Sequence, residues 1–408
     1  MSEYEELIEW SLKSQSVARL QAMLDIAEFQ QPIACLPGDF DRDPWLLNCL
    51  SGTINLKTGR LQPHNPEDMI TKLCPVDYEP DAKFKMWDDF LDTATAGDES
   101  IKQFLQTAIG YSLTGDVSEE KLFFIHGDSA TGKSTFLEAI KATLGDHAMT
   151  ADFETFLQRK QVGQIRNDIA RLCGARFVIS IEVDEGKKLA EGLVKTLTGG
   201  DTVSARFLYK EAFEFVPQFK LFLAANHAPR IKDNDAAIWR RIIRIPFENI
   251  IPEDQRNPKI KATLRNPKIA GPAILAWAVQ GCLRWQQEGL VIPDTIKKST
   301  HEYRQSQDPL REFFEDDLEF APNAFVPVAE LRAAYDLWCK DNGIRYPLGP
   351  RQFNDRLRTK NCEVKPKRYL NDVGNEVVAK CWHGITLKSN CRYDKATKQA
   401  ENQEEIPF

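Results

Sequence analysis

Four short, nearly continuous apolar runs organise the middle of this chain: LFFI (Leu122–Ile125), RFVISI (Arg176–Ile181), KLFLAA (Lys220–Ala225) and RIIRI (Arg241–Ile245). Helical stretches separate them, so they predict strands buried on both faces of an α/β sheet. Upstream, Phe84, Trp87, Phe90, Leu91, Ile101, Phe104, Leu105, Ala108 and Ile109 recur at helical spacing. A helical start over Glu5–Gln30 and a small hairpin around Thr53–Leu61, turning at Lys57-Thr58-Gly59, precede them. Downstream, Lys268–Glu288 reads as helix, and Pro293 and Asp308-Pro309 punctuate the approach to a last region. That region carries a helix over Phe325–Gly343, a second helical stretch (LGPRQFNDRLRTK), and strand-like pieces near Val364, Val377–Lys380 and Gly384–Leu387. The expected segments are an accessory region (1–118), an α/β core (119–250), a helical extension (251–295), a basic domain (296–398) and a polar tail (399–408).

Between the first core strand and the amphipathic stretch Thr135–Leu144 lies HGDSATGKST, which fits G-x-x-x-x-G-K-[ST]. Gly127, Gly132, Lys133 and Ser134 hold the fixed positions, with Asp128, Ser129, Ala130, Thr131 and Thr135 completing the loop. A glycine-rich turn entering a helix directs backbone N–H groups and the positive end of the helix dipole at an anion. Lys133 is then expected at the β- and γ-phosphates and the Ser134 hydroxyl on Mg²⁺, which predicts nucleoside triphosphate binding. The bland alternative, a flexible turn with a surface lysine, does not account for strand, loop and helix in register.

Hydrolysis needs an acidic cluster at the end of a neighbouring strand. RFVISIEVDEG supplies Glu182, Asp184 and Glu185, one to hold the magnesium shell and another to orient the attacking water. Alternation puts Glu182 and Asp184 on one face and Glu185 on the other, so their roles stay open, as does a plain solvated turn. Asn226, closing KLFLAAN, is a neutral amide suited to the water or the γ-phosphate. Arg240 and Arg241, ahead of the last core strand, are either a solvated edge or a finger supplied across a subunit boundary to the neighbour's γ-phosphate, the role expected of Arg241.

Composition changes this picture little. Charged residues are 28% of 408 and hydrophobic ones 42%, as in globular chains. No apolar run has membrane-spanning length, and the acidic start MSEYEELIEW lacks a signal-peptide pattern. Nine cysteines without a Cys-x-x-Cys pair argue for reduced thiols and a cytoplasmic setting, in a bacterium or phage-infected cell, rather than a zinc site. The net charge of −7 excludes a uniformly basic coat, but residues 351–398 hold 12 Lys and Arg against 5 Asp and Glu, a net of +7.

With phosphate loop, acidic strand end, Asn strand and arginine pair in order, the chain resembles superfamily 3 replicative helicases, specifically the helicase part of phage, plasmid and poxvirus primase-helicases. NLKTGRLQPHNPEDMITKLCPVDYEPDAKF and FLQTAIGYSLTGD look like that family's accessory region. EGKKLAEGLVKTLTGGDTVSARFLYKE is similar to its segment between the acidic motif and the Asn strand. Thr131 stands where the family often has Asn, and its hydroxyl is still able to donate to phosphate. The resemblance implies an AAA+-like core, a hexameric ring around one strand of single-stranded or forked DNA, ATP and Mg²⁺ between subunits, and 3′→5′ movement. It also implies a primase, polymerase or initiator partner, or a place within a longer primase-helicase.

The resemblance places a channel hairpin at Thr202–Val216, with Arg206, Tyr209 and Lys210 on DNA; its sequence reads independently as two strands about a turn. For Tyr209 the competing expectation is an aromatic packed inward. The C-terminal region is expected to be winged-helix-like, with Arg351, Arg356, Arg358, Lys365 and Lys367 facing DNA, or else a basic solvated face without a ligand. Two rivals remain: an ATP-switched DNA-binding initiator that barely hydrolyses, and a small-molecule kinase, for which hairpin and basic domain have no use.

Overall fold

The computed structural model describes residues 3–31, 33–158, 166–181, 187–231, 236–308, 310–344, 347–370 and 374–388. Two compact units divide the chain, Met1–Arg304 and Gln305–Phe408.

The first unit opens with α1 (Glu3–Ser14) and α2 (Val17–Ala27), neither of which buries a residue. One continuous helix was the expectation from the sequence. Ser16 breaks it: its backbone is extended (ψ 141°) and its hydroxyl donates to the Lys13 carbonyl, competing with the helical ladder. Strands β1 (Leu46–Cys49), β2 (Gly52–Asn55) and β3 (Arg60–Gln62) form an antiparallel meander turning at the expected Lys57–Gly59. Helices α3 (Lys85–Ala94) and α4 (Glu99–Ser112) follow; Asp98 caps α4 by accepting from the Ser100 and Ile101 amides.

The core then runs β4 (Leu122–His126), α5 (Lys133–Leu144), β5 (Ala148–Thr150), α6 (Asn167–Ala170), β6 (Phe177–Ile181), α7 (Glu191–Thr198), β7 (Val203–Arg206), β8 (Ala212–Phe215), β9 (Lys220–Ala225), α8 (Ala236–Trp239) and β10 (Ile242–Pro246). Helices α9 (Pro258–Leu264), α10 (Gly271–Glu288) and α11 (Asp294–Ser306) complete the order.

The central sheet has the order β10-β4-β9-β6-β5, and every pairing is parallel. Both faces are covered, which is why its strands read as continuous apolar runs. Phe123, Ile125, Ile179 and Phe222 pack on one side with residues of α4, α5 and α10. Leu122, Phe124, Val178 and Leu223 pack on the other with residues of α7, α8 and α11. On the first side α4 and α10 cross at backbone contact: a Cβ on Gly110 would lie 2.0 Å from the Cys282 nitrogen, and one on Gly281 2.0 Å from the Gln106 carbonyl oxygen.

Two buried cations fasten the start of the sheet to the end of α4. Lys220 donates to the carbonyls of Thr114 (2.6 Å), Asp116 (2.9 Å) and Gln218 (3.2 Å), and its ammonium lies 4.6 Å from the Tyr111 ring centroid. Arg176 donates to the carbonyls of Leu113 (2.8 Å) and Asp43 (3.2 Å). Positive charge complements the carbonyl end of a helix, while burial pulls Lys220 well below its ordinary pKa and Arg176 down to about 10.

The second unit contains α12 (Arg311–Asp317), β11 (Leu318–Pro327), α13 (Val328–Asp341), α14 (Pro350–Thr359), β12 (Glu363–Leu370) and β13 (Glu376–Leu387). Its antiparallel sheet has the order β11-β13-β12, and Phe313, Tyr335, Trp338, Phe353 and Trp382 share its core. The two expected helices are present, and a strand covers Val364, but the pieces expected at Val377–Lys380 and Gly384–Leu387 form one strand, β13. The helix expected from Phe325 begins at Val328 instead, because Phe325–Pro327 complete β11, paired with Cys381–His383 of β13.

Candidate active site

The sheet order decides what meets what. Because β9 lies between β4 and β6, the end of the Asn strand adjoins the end of the phosphate-loop strand, with Ala225 opposite His126. Ligands of open parallel sheets bind at these carboxyl ends.

The loop is held at its entrance by Gly127. A Cβ there would lie 1.8 Å from the Phe247 carbonyl oxygen, and the Phe247 amide donates to His126 O at 2.7 Å, so no side chain fits. At its exit Gly132 takes φ +92°, immediately before α5, a conformation glycine adopts without strain. Between them Ala130 also has positive φ (+62°), and its carbonyl accepts from the Ile251 amide at 3.0 Å. The first α5 amides are thereby aimed into the loop.

Lys133 spans this concavity. Its Nζ donates to the carbonyls of Gly127 and Asp128, both at 2.6 Å, and to Thr131 Oγ1 at 3.2 Å. Burial lowers its pKa, an effect the Asp128 carboxylate opposes. The Thr131 hydroxyl, expected toward phosphate, donates to the Asp128 carbonyl at 3.0 Å. Asn226 Nδ2 donates to Ser129 Oγ at 3.2 Å, so the Asn strand and the loop are directly bonded.

Around these residues is an open cleft of about 640 Å³. Residues Ser129–Thr135 form one wall and Ala224–His227 another, with Ile181, the last residue of β6, between Asp152, Phe153 and Glu154 and the loop's side of the sheet. Lys261 of α9, which the sequence reading did not single out, also lines it. Glu182, Asp184 and Glu185 lie outside the described residues.

The arginine pair sits at the other end of the sheet. Arg241 precedes Ile242, which pairs with Leu122, whereas the loop leaves β4 after His126. Six residue steps at strand rise separate Arg241 from Gly127, roughly 20 Å, beyond the reach of either arginine. The two arginines differ sharply in exposure: the Arg241 side chain is 8% exposed and that of Arg240 is 64%. Within one chain, then, Arg241, the residue expected to reach a neighbour's γ-phosphate, is the less accessible of the pair. Its Nη1 is spent on the Ala237 carbonyl at 3.0 Å.

Sequence reasoning also missed Arg244. Its Nη2 lies 2.7 Å from His126 Nδ1, its Nη1 donates to the Ser299 carbonyl (3.2 Å), and its amide donates to Thr300 Oγ1 (2.9 Å). Burial and the adjacent Arg244 lower the His126 pKa to about 4, so the ring is neutral and accepts from the guanidinium.

Strands β7 and β8 pair antiparallel as expected, from Val203↔Phe215 to Arg206↔Ala212. Phe207 and Phe213 stack with centroids 5.5 Å apart and pack on the core with Phe215. Tyr209 does not pack inward. It is 95% exposed, with φ +62°, and Arg206 and Lys210 are exposed beside it.

In the second unit, Arg351, Arg358 and Lys365 are exposed, the last two paired with Asp355 and Glu363. Lys367 is half-buried, with its ammonium 5.1 Å from the Phe325 ring centroid. Arg356 departs from the expected DNA-facing set. It is buried and donates to Asp308 Oδ1 at 3.2 Å, and burial lowers its pKa.

Residues 1–96 match the family described as D5 N terminal like, 305–381 match Poxvirus D5 protein-like, and 125–241 match a family of unknown function. Acanthamoeba polyphaga mimivirus carries a relative named "Putative helicase L207/L206", 30% identical over 74% of this chain and 34% of its own length. "Putative helicase 022R" of Frog virus 3 is 26% identical over 62% of this chain and 28% of its own. "Putative primase C962R" of African swine fever virus is 22% identical over 74% and 34%. The chain thus spans about a third of the length of these relatives.

Proposed function

We propose that this chain, which matches the D5 N terminal like and Poxvirus D5 protein-like families, is the helicase part of a primase-helicase whose cleft binds and hydrolyses ATP to drive movement along DNA, as in superfamily 3 helicases with an AAA+-like core. The observation that carries this reading is the bonding of two adjacent strand ends at one anion-binding turn: Lys133 across the loop and Asn226 on Ser129. A triphosphate entering the loop takes the place of the Gly127 and Asp128 carbonyls as partner of Lys133, and the α5 amides receive its oxygens. Ser134, at the start of α5 and in the cleft wall, is the hydroxyl positioned to hold Mg²⁺. A Mg²⁺ held there would supply positive charge to offset that of the phosphate oxygens. Asn226 orients water or the γ-phosphate without adding negative charge.

The distance between the loop and the arginine pair supports a site completed in trans. Arg240, exposed and out of reach of its own loop, belongs to the neighbouring copy's phosphate, which implies a ring, taken here as a hexamer. The hairpin tip, with Tyr209 and Lys210, then faces the strand in the channel. A lysine neutralises a phosphate, and an aromatic stacks on a base. The order of helices and strands in the second unit supports a winged-helix-like module that docks duplex through Arg351, Arg358 and Lys365. Such a chain would act with a primase or polymerase, or as the helicase portion of a longer protein.

Turnover with and without single-stranded DNA tests the proposal. Stimulation that disappears in Lys133→Ala is the expected result. ATP binding with no DNA-stimulated turnover would point instead to a nucleotide-switched initiator.

A further inference from the structure

Glu120 lies where the arginine pair meets the phosphate-loop strand. Its Oε2 forms an ion pair with Arg241 Nη2 at 2.9 Å and accepts a hydrogen bond from Arg240 Nη2 at 3.2 Å, so one carboxylate oxygen serves both guanidinium groups. The main chain repeats the connection. Lys121 Nζ donates to the Arg240 carbonyl, and the Leu122 amide to the Arg241 carbonyl, both at 2.8 Å. Glu120 also takes φ +52°, a left-handed conformation that a non-glycine residue keeps only where its surroundings impose it.

We propose that Glu120 is a positioning residue for the trans-acting arginine. Its carboxylate neutralises the buried Arg241 and, anchored there, aims the exposed Arg240 away from its own subunit toward the phosphate held by a neighbouring copy. The inference rests on the reading of a site shared between subunits. An exposed Arg–Glu pair alone would hold Arg240 only weakly. What stiffens the contact is the same oxygen's ion pair with Arg241, whose side chain is buried. Glutamine at position 120 keeps the size and one acceptor but loses the charge. Arg241 then keeps a buried charge without its counter-ion, and Arg240 is released to solvent.

Mixed oligomers test this with a built-in direction. Arg240→Ala chains keep the phosphate loop but lack the exposed arginine; Lys133→Ala chains keep the arginine but lack the loop cation. ATPase activity of the mixture therefore reports an arginine donated to a neighbour. The expected result is that donors carrying Glu120→Gln with Lys133→Ala rescue about tenfold less, a fraction of the 10³–10⁵ that such an arginine supplies. The same Glu120→Gln change on the Arg240→Ala acceptor should leave rescue by Lys133→Ala donors intact. A fold or assembly defect would lower both combinations alike, and that symmetric loss would overturn the positioning role. Equal rescue by donors with and without Glu120→Gln would overturn it too. If plain Lys133→Ala donors rescue nothing, the shared site itself is wrong, and the role of Glu120 falls with it.

Discussion

Asn226 donates its amide to Ser129, a residue 97 positions earlier, at 3.2 Å. The contact exists because β9 is inserted beside β4, which sets the end of one strand against the loop leaving the other. Replacing Asn226 with Ala should lower the rate of ATP hydrolysis about 10²-fold, in the range of losing one preorganised donor, with a smaller effect on nucleotide affinity. Single-turnover hydrolysis beside equilibrium nucleotide binding separates the two. Equal losses in both would make the residue a support for the loop rather than a participant in the reaction.

The hairpin tip separates strand engagement from turnover. With Tyr209 95% exposed and Lys210 beside it, neither side chain supports the core. Lys210→Ala should leave basal ATP hydrolysis and the melting temperature unchanged but abolish DNA stimulation. If the ring has six subunits, it should also remove a salt slope near −4, at about −0.7 per phosphate on single strands. Tyr209→Ala should cost roughly 1–3 kcal/mol of single-strand binding if the ring stacks on a base. Unchanged binding by both variants in a fluorescence titration would take the hairpin out of the mechanism.

The basic residues of the second unit divide by burial. Arg351→Ala and Arg358→Ala should weaken duplex binding without altering stability. Arg356→Ala should instead destabilise the unit, because it strips the half-buried Asp308 of its partner at 3.2 Å and removes buried packing; the cost should exceed the roughly 0–1 kcal/mol of an exposed pair. Thermal unfolding beside duplex binding distinguishes the two outcomes.

Acid sensitivity follows from two histidines held neutral. His147 is buried, and burial with Arg176 nearby lowers its pKa well below 6.5; His126 is lowered to about 4. The unfolded chain takes up these protons as pH falls through about 6.5, whereas the folded chain does not, so stability present at neutral pH is lost below that point. For His147 the slope is about 1.4 kcal/mol per pH unit. The melting temperature should therefore fall from pH 7 to pH 5.5, and His147→Gln should flatten that fall.

The parts of this molecule legible in its sequence are those governed by local rules. Strands β6 and β9 coincide with their apolar runs because both faces are buried, and the phosphate loop follows from glycines that only a tight turn requires. Strand β5 (Ala148–Thr150) escaped notice, being three residues long and half exposed. Strand β11 did so because Pro322 and an irregular pairing between Phe320 and Phe325 blur its alternation. Contacts made by register were equally invisible. His126 meets Arg244, and Glu120 meets the arginine pair, only because β10 pairs with β4 across 118 to 121 positions. Burial within a basic stretch was also unreadable, so Arg241 and Arg356 looked like their exposed neighbours.

The most direct measurement is the mass of the particle in solution with a non-hydrolysable ATP analogue and single-stranded DNA both present. A site in which one chain holds the phosphates and another brings Arg240 requires assembly, and the expected mass is that of a ring of about six chains. A particle that stays at the mass of one chain, 46.5 kDa, under those conditions would contradict it.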